Sequence, residues 1–275
     1  MGLRISTNIA AMASSRALER TSNEQSKSFE RLASGNRINQ AGDDAAGLSI
    51  AENLRAQIRS LGQAERNAND GVSFVQVAEG GLNEIGNMLI RMRELGIQAA
   101  SDTIGETERG FIDKEIQSLK SEVDRIASVT TFNGTPLLNG EAGRTLSFHV
   151  GARKDDQIAF EPDNYNVKVS SLGIDSLDYR EADSARDGLD VIDTAIGKVS
   201  GARAELGANQ NKLQATIGNL AIQKENYSAA RSRIADTDVA AETSALVRGN
   251  ILTQAGIAVL GQANSAPQAA LRLLG

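Results

Sequence analysis

The side chains best suited to acid–base or metal chemistry in this sequence are two adjacent carboxylates, Asp43 and Asp44, and a single imidazole, His149. Paired carboxylates can divide the roles of acid and base in catalysis. Set side by side in the pattern GDDAA at 42–46, however, they read as a helix start. There an Asp side chain accepts from unpaired backbone N–H groups and its charge opposes the helix dipole. One His, placed on a predicted strand, cannot build a multi-histidine site, and no His-Glu-x-x-His pattern occurs. With no Cys there is no disulfide, thiol nucleophile or thiolate metal site. A Gly-rich phosphate loop is missing too, so the sequence predicts no enzyme, no cofactor and no metal centre. Two triplets, at Asn133–Thr135 and Asn226–Ser228, match an N-glycosylation acceptor, and Met1-Gly2 with Ser6 matches a myristoylation pattern. No polybasic patch supports an anchor. Ser6, Thr7 and Asn8 interrupt the weakly apolar start, which does not read as a cleaved signal peptide.

The chain has 275 residues, 40% of them hydrophobic, yet no Trp, three Tyr and six Phe. Aromatic anchors normally dominate compact cores and pockets. A chain with so few must bury its surface through many small repeated contacts between Ala, Ile, Leu and Val, which suits long helices. Only three prolines interrupt it, Pro136, Pro162 and Pro267. A net charge of −6 argues against general binding to nucleic acid or anionic membrane. No stretch reaches the roughly 20 apolar residues of a membrane span.

Stepping four and three from Leu54, a seam runs through Ile58, Leu61, Glu65, Ala68, Val72 and Val75. After one extra three-residue step it resumes at Ala78, Leu82, Ile85, Leu89, Met92, Gly96 and Ala99. Such spacing is a coiled-coil seam with a local change of winding, and only Glu65 and Gly96 break its apolar character. It predicts a helix over about 44–100, followed by a returning antiparallel helix over about 106–128. Near the other end Ile192, Val199, Leu206, Leu213, Leu220, Tyr227 and Ile234 recur every seven residues, predicting a helix over about 183–235. Its companion seam, Leu189, Ile196, Arg203, Gln210, Ile217, Lys224 and Arg231, is half polar, as for a helix with one edge exposed or charge-paired. Turn and strand signals are confined to about 129–182. There Leu146, Phe148 and Val150 alternate toward a pairing with 157–160, and residues 153–156 form the turn. This middle reads as a small β element without a core of its own. The expected fold is mainly α: a long antiparallel coiled-coil or helical-bundle rod with a small β-hairpin region.

The termini differ in kind. Residues 1–15 carry one charge, Arg4, and residues 243–275 carry only Arg248 and Arg272. In the C-terminal stretch apolar residues fall around most of the helix, and a helix apolar all round has to be buried. Each end therefore demands the other end and further copies of the chain. The expected interface and core residues are Ile5, Ile9, Met12, Ile251, Leu252, Ile257, Leu260, Leu271 and Leu274. Identical subunits that pack head to tail through such ends form rings or open helical filaments.

Residues 32–50 (LASGNRINQAGDDAAGLSI) resemble the N-terminal hallmark of bacterial flagellins. Residues 228–260, with RSRIADTD at 231–238 and AET at 241–243, resemble their C-terminal hallmark. Residues 1–9, 132–134 (FNG), 137–140 (LLNG) and 267–274 are similar as well, in the family's order along nearly the whole chain. The resemblance implies an inner domain of paired terminal helices, 1–43 with 236–275, around a rod domain, 44–235. It implies a short form without outer domains that polymerises into the hollow, extracellular flagellar filament, a propeller for motility. Asn36, Arg37, Ile38, Asn39, Asp43 and Asp44 would form the linker between the domains and a contact between subunits. As partners it implies other copies of the chain, a filament cap protein, hook–filament junction proteins, an export chaperone and the flagellar type III export apparatus. Arg91, Leu95 and Glu115 would correspond to positions read by innate immune receptors.

Overall fold

The computed structural model describes residues 7–141 and 145–274. The fold is mainly α. Its helices are α1 (Ile9–Ser34), α2 (Ala45–Ala99), α3 (Glu106–Val129), α4 (Val169–Leu172), α5 (Ala182–Ala235) and α6 (Val239–Leu274). The strands are β1 (Thr131–Phe132), β2 (Thr135–Pro136), β3 (Leu146–His149) and β4 (Gln157–Phe160). The chain forms two compact units, a central one of Ile58–Glu225 and an end unit of Met1–Gln57 with Asn226–Gly275. The division falls inside α2 and α5, whereas the sequence reading placed it in the connections at 43/44 and 235/236.

In the central unit the heptad pattern becomes the buried face. Ile192, Val199, Leu206, Leu213 and Leu220 of α5 are buried, as are Leu61, Ala68, Val75, Ala78, Leu82, Ile85, Leu89, Met92 and Ala99 of α2. Basic residues of the half-polar α5 seam meet carboxylates of α2. Glu65 of α2 meets Lys224 of α5 at 3.0 Å, and Glu79 meets Arg203 at 4.0 Å. Arg93 and Asp193 pair at 2.6 Å, and Asp102 and Arg186 at 2.8 Å, so opposite charges match along the antiparallel pair. The returning helix α3 is joined to α2 by Arg109. Its guanidinium donates to the Ala99 carbonyl at 2.9 Å and the Ser101 carbonyl at 3.0 Å, satisfying acceptors at the α2 C-terminus.

Where the α2 seam changes winding, Phe74 turns into a cluster with Phe132, Phe148 and Phe160, at ring-centroid distances of 5.6, 5.4 and 4.6 Å. Tyr165 stacks on Phe160 at 4.7 Å. Strands β3 and β4 are antiparallel, with Leu146 opposite Phe160 and Phe148 opposite Ile158, so one face of the hairpin closes over α2. Strands β1 and β2 are joined by Asn133-Gly134, both at positive φ (48° and 76°), the backbone hand that a two-residue hairpin turn requires.

The chain after β4 has little regular structure but is held by one face of α3. Lys120 Nζ donates to the carbonyls of Asp175 (2.7 Å) and Leu177 (3.3 Å), and Gln117 Nε2 donates to Leu177 O (3.3 Å). Asp113 accepts from Tyr179 N (3.3 Å) and Asp124 from Val169 N (2.8 Å). Steps of four, three and four place these side chains on one stripe of α3. Burial lowers the pKa of Lys120, against the opposing pull of Asp113, Asp175 and Asp178. The stripe seats Val169, Leu172, Ile174, Leu177 and Tyr179 in the core.

Candidate assembly surface

In the end unit α1 and α6 lie antiparallel. Asn8 Nδ2 donates to Ala263 O at 2.8 Å, Gln25 Nε2 donates to Asn250 Oδ1, and Arg31 faces Glu242 at 3.8 Å. Asn8 also caps α1 by accepting from Ala11 N at 3.0 Å, and Gly35 ends it at φ 70°. Apart from Arg31, the least exposed residues of α1 are Ala11, Ser14, Leu18, Thr21, Gln25, Ser28 and Leu32, in alternating steps of three and four. On α6 they are Glu242, Leu246, Gly249, Thr253, Gly256, Leu260 and Ala263. Both sets are heptad stripes, but of mostly small or polar residues. A Cβ at Gly256 would lie 3.2 Å from Leu18 Cδ1, and one at Gly249 would lie 3.7 Å from Gln25 Cβ. The helices approach at the two glycines of α6.

Spending the inward stripe on small residues leaves the bulky apolar ones outside. Ile9 is 61% exposed, Met12 58%, Ile251 61%, Leu252 51% and Ile257 57%. Phe29, Ile50, Val239, Val247 and Val259 are exposed too, which the sequence reading did not single out. For those on α1 and α6 the signal that could have found them is the small-residue heptad itself, since it fixes which face of each helix is inward. Leu260 differs from the other expected interface residues by lying half-buried in the inward stripe of α6. Leu271 and Leu274 belong to α6, and Ile5 lies outside the described residues. Among the described residues of this unit only Ser28, Ile38, Gly47, Ala51 and Ala235 are buried, so no large core exists there.

The connection between α1 and α2 is pinned to the connection between α5 and α6. Asn36 forms a β-bridge with Asp236, Arg37 N donates to Ala235 O at 2.7 Å, and Thr237 N donates to Gly35 O at 2.9 Å. The Arg37 guanidinium caps α5 by donating to Ile234 O at 2.8 Å. The two carboxylates have separate structural tasks. Asp44 accepts from Gly47 N at 2.8 Å and so caps α2, whereas Asp43 accepts from Asn39 N (3.3 Å) and Gln40 N (3.2 Å). The Gln40 and Asn39 amides, aided by Arg31 and Lys27, hold the Asp43 carboxyl below its ordinary pKa. Ile38 is buried, and Asn39 Nδ2 and Thr237 Oγ1 are buried without a hydrogen-bond partner. In the central unit Arg91 and Glu115 are exposed and paired at 2.9 Å, while Leu95 is only 2% exposed and packs inward.

Known proteins give this arrangement its family. The description "Bacterial flagellin N-terminal helical region" matches residues 5–142, and "Bacterial flagellin C-terminal helical region" matches 189–274. A flagellin of Halalkalibacterium halodurans is 42% identical over 270 residues, covering 98% of this chain and 99% of that one. The chain belongs to the flagellin family. A Bacillus subtilis flagellin is 40% identical over 310 residues, covering 99% of this chain and 100% of its own. The crystal structure of Bacillus cereus flagellin superposes with a TM-score of 0.52 at 31% identity, covering 60% of this chain and 94% of that one. This is a short flagellin, with only residues 143–188 between its two matched regions. It is a structural subunit of the extracellular flagellar filament, and serves motility as a building block rather than as an enzyme.

Proposed function

We propose that this flagellin polymerises through the outward apolar faces of α1 and α6, which seat against the same helices of neighbouring copies. The observation that carries the reading is the inversion at this helix pair: small residues face inward while Ile9, Met12, Ile251, Leu252 and Ile257 face out. Apolar surface left in water costs about 25 cal/mol per Å², and the end unit has no core to take it up. Ile5, Leu271 and Leu274 extend the same assembly core, while Leu260 supports it from the inward stripe of α6. Residues 36–44, most of them exposed and polar, form a second contact between copies. The domain division expected from the sequence, 1–43 and 236–275 around 44–235, describes the assembled filament.

Deleting residues 240–275 tests the reading. The truncated chain should keep the helical signal of its central unit and form no filaments; normal filaments under the electron microscope would overturn it. The same exposed helices are the surface offered to the partners that the family resemblance implies: a cap protein, junction proteins, an export chaperone and the type III export apparatus. Export without a cleaved signal peptide belongs to the same proposal. Recognition by innate receptors would rest on Arg91 and Glu115, with Leu95 supporting them from beneath, and alanine at either charged position should weaken it.

A further inference from the structure

We infer that Met12 is a peroxide-sensitive gate on assembly, open to oxidation before the subunit is incorporated and sheltered afterwards. The inference rests on the assembly surface proposed above. Of the methionines whose side chains are described, Met92 is fully buried in the central core and Met88 packs against that core. Met12 is 58% exposed on α1, one turn from Ile9, on the face that the small-residue stripe leaves outward. Thioether oxidation follows access, so the three positions differ in susceptibility by their placement alone.

The chemistry is a two-electron oxygen transfer. The Met12 sulfur attacks one oxygen of hydrogen peroxide, an S–O bond forms, the O–O bond breaks, and the departing hydroxide takes the proton of the transferred oxygen and leaves as water. Sulfur is oxidised and peroxide is reduced. The product is a polar sulfoxide where the assembly surface needs an unbranched, polarisable apolar group. Seating it against a neighbour's Ile251 or Leu252 buries a strong acceptor without a donor, so the oxidised subunit is rejected. Once the face is covered by another copy, peroxide no longer reaches the sulfur.

The test uses the full chain, hydrogen peroxide, peptide mass spectrometry and a pelleting assay. In unassembled protein the added oxygen should appear on Met12 well before Met92. The concentration needed for polymer should then rise by about tenfold or more, as for losing the burial of one apolar side chain. Met12→Leu should polymerise normally and keep doing so after the same treatment, whereas Met12→Gln should behave as oxidised protein without peroxide. Preformed filaments should acquire oxygen at Met12 much more slowly. Equal inhibition of peroxide-treated Met12→Leu would overturn the inference, as would oxidation of Met12 no faster than Met92. Untreated protein that does not polymerise at all would overturn the assembly reading itself, and shows before any peroxide is added.

Discussion

Tyr179 shows how one side chain explains several irregularities at once. Gly96 breaks the apolar seam of α2 because the Tyr179 ring passes over it. A Cβ at Gly96 would lie 3.0 Å from the Tyr179 hydroxyl, and one at Gly188 of α5 only 2.7 Å from its ring. The ring is completely buried, and its hydroxyl has no hydrogen-bond partner. Burial pushes the phenol up from 10.0 to about 12. A folded-state value above the unfolded one means that the unfolded chain loses its proton first. The contribution is therefore fully present below pH 10.0 and is lost as pH rises through about 12. Tyr179→Phe removes the unpaired hydroxyl and keeps the ring, so we expect it to be at least as stable as the parent at neutral pH. In chemical denaturation series the parent should lose stability relative to the variant between pH 10.0 and about 12. Parallel curves across that window would show that the phenol does not titrate with unfolding.

At the level of elements, the aromatic cluster decides whether the β region is an ornament or part of the core. Phe74 is the only member from a long helix, and its ring touches the rings of Phe132, Phe148 and Phe160. Phe74→Ala should cost about 3–5 kcal/mol, the range for removing a large buried aromatic. Hydrogen exchange should quicken in β3 and β4 before the α2–α5 contact is affected, and unchanged protection of the strands would count against Phe74 as their anchor. The long helices were legible in the sequence because heptads are redundant: seven α5 positions agree, and the expected span of 183–235 is realised as Ala182–Ala235. The hairpin was legible from alternation and turn residues. The segment from Tyr165 to Tyr179 was not, because its buried residues alternate only in short runs that shift register, at 165/167/169, 172/174 and 177/179, and its backbone depends on partners from α3. Few aromatics in total also concealed that Phe74, Phe132, Phe148, Phe160 and Tyr165 gather in one place. At the candidate surface the sequence showed that the termini were apolar and nearly uncharged. Which faces point outward was encoded only in the small-residue heptad, with Gly249 and Gly256 on its α6 side, a weaker signal than a run of large apolar residues.

For the whole molecule, the contrast between the two units predicts opposite consequences for the same substitution. Leu206 is completely buried in the α5 seam, whereas Leu252 on α6 is 51% exposed. An unpaired carboxylate in a packed core costs several kcal/mol, a large share of a total stability of about 5–15 kcal/mol. Leu206→Asp should therefore unfold the central unit and abolish assembly only as a consequence. Leu252→Asp places its charge in water while the chain is alone, so the melting profile should match the parent. The cost arises only when a neighbouring copy covers that face, where the carboxylate must be desolvated without a partner. Soluble, folded Leu252→Asp that cannot be pelleted under conditions where the parent polymerises is the expected result. Full pelleting of this variant would place Leu252 outside the buried assembly surface, and a collapsed melting profile would mean that the end unit buries it within a single chain. The division of labour follows from where each unit puts its large side chains: the central unit closes its core alone, and under the proposed assembly the end unit would complete its own only with other copies.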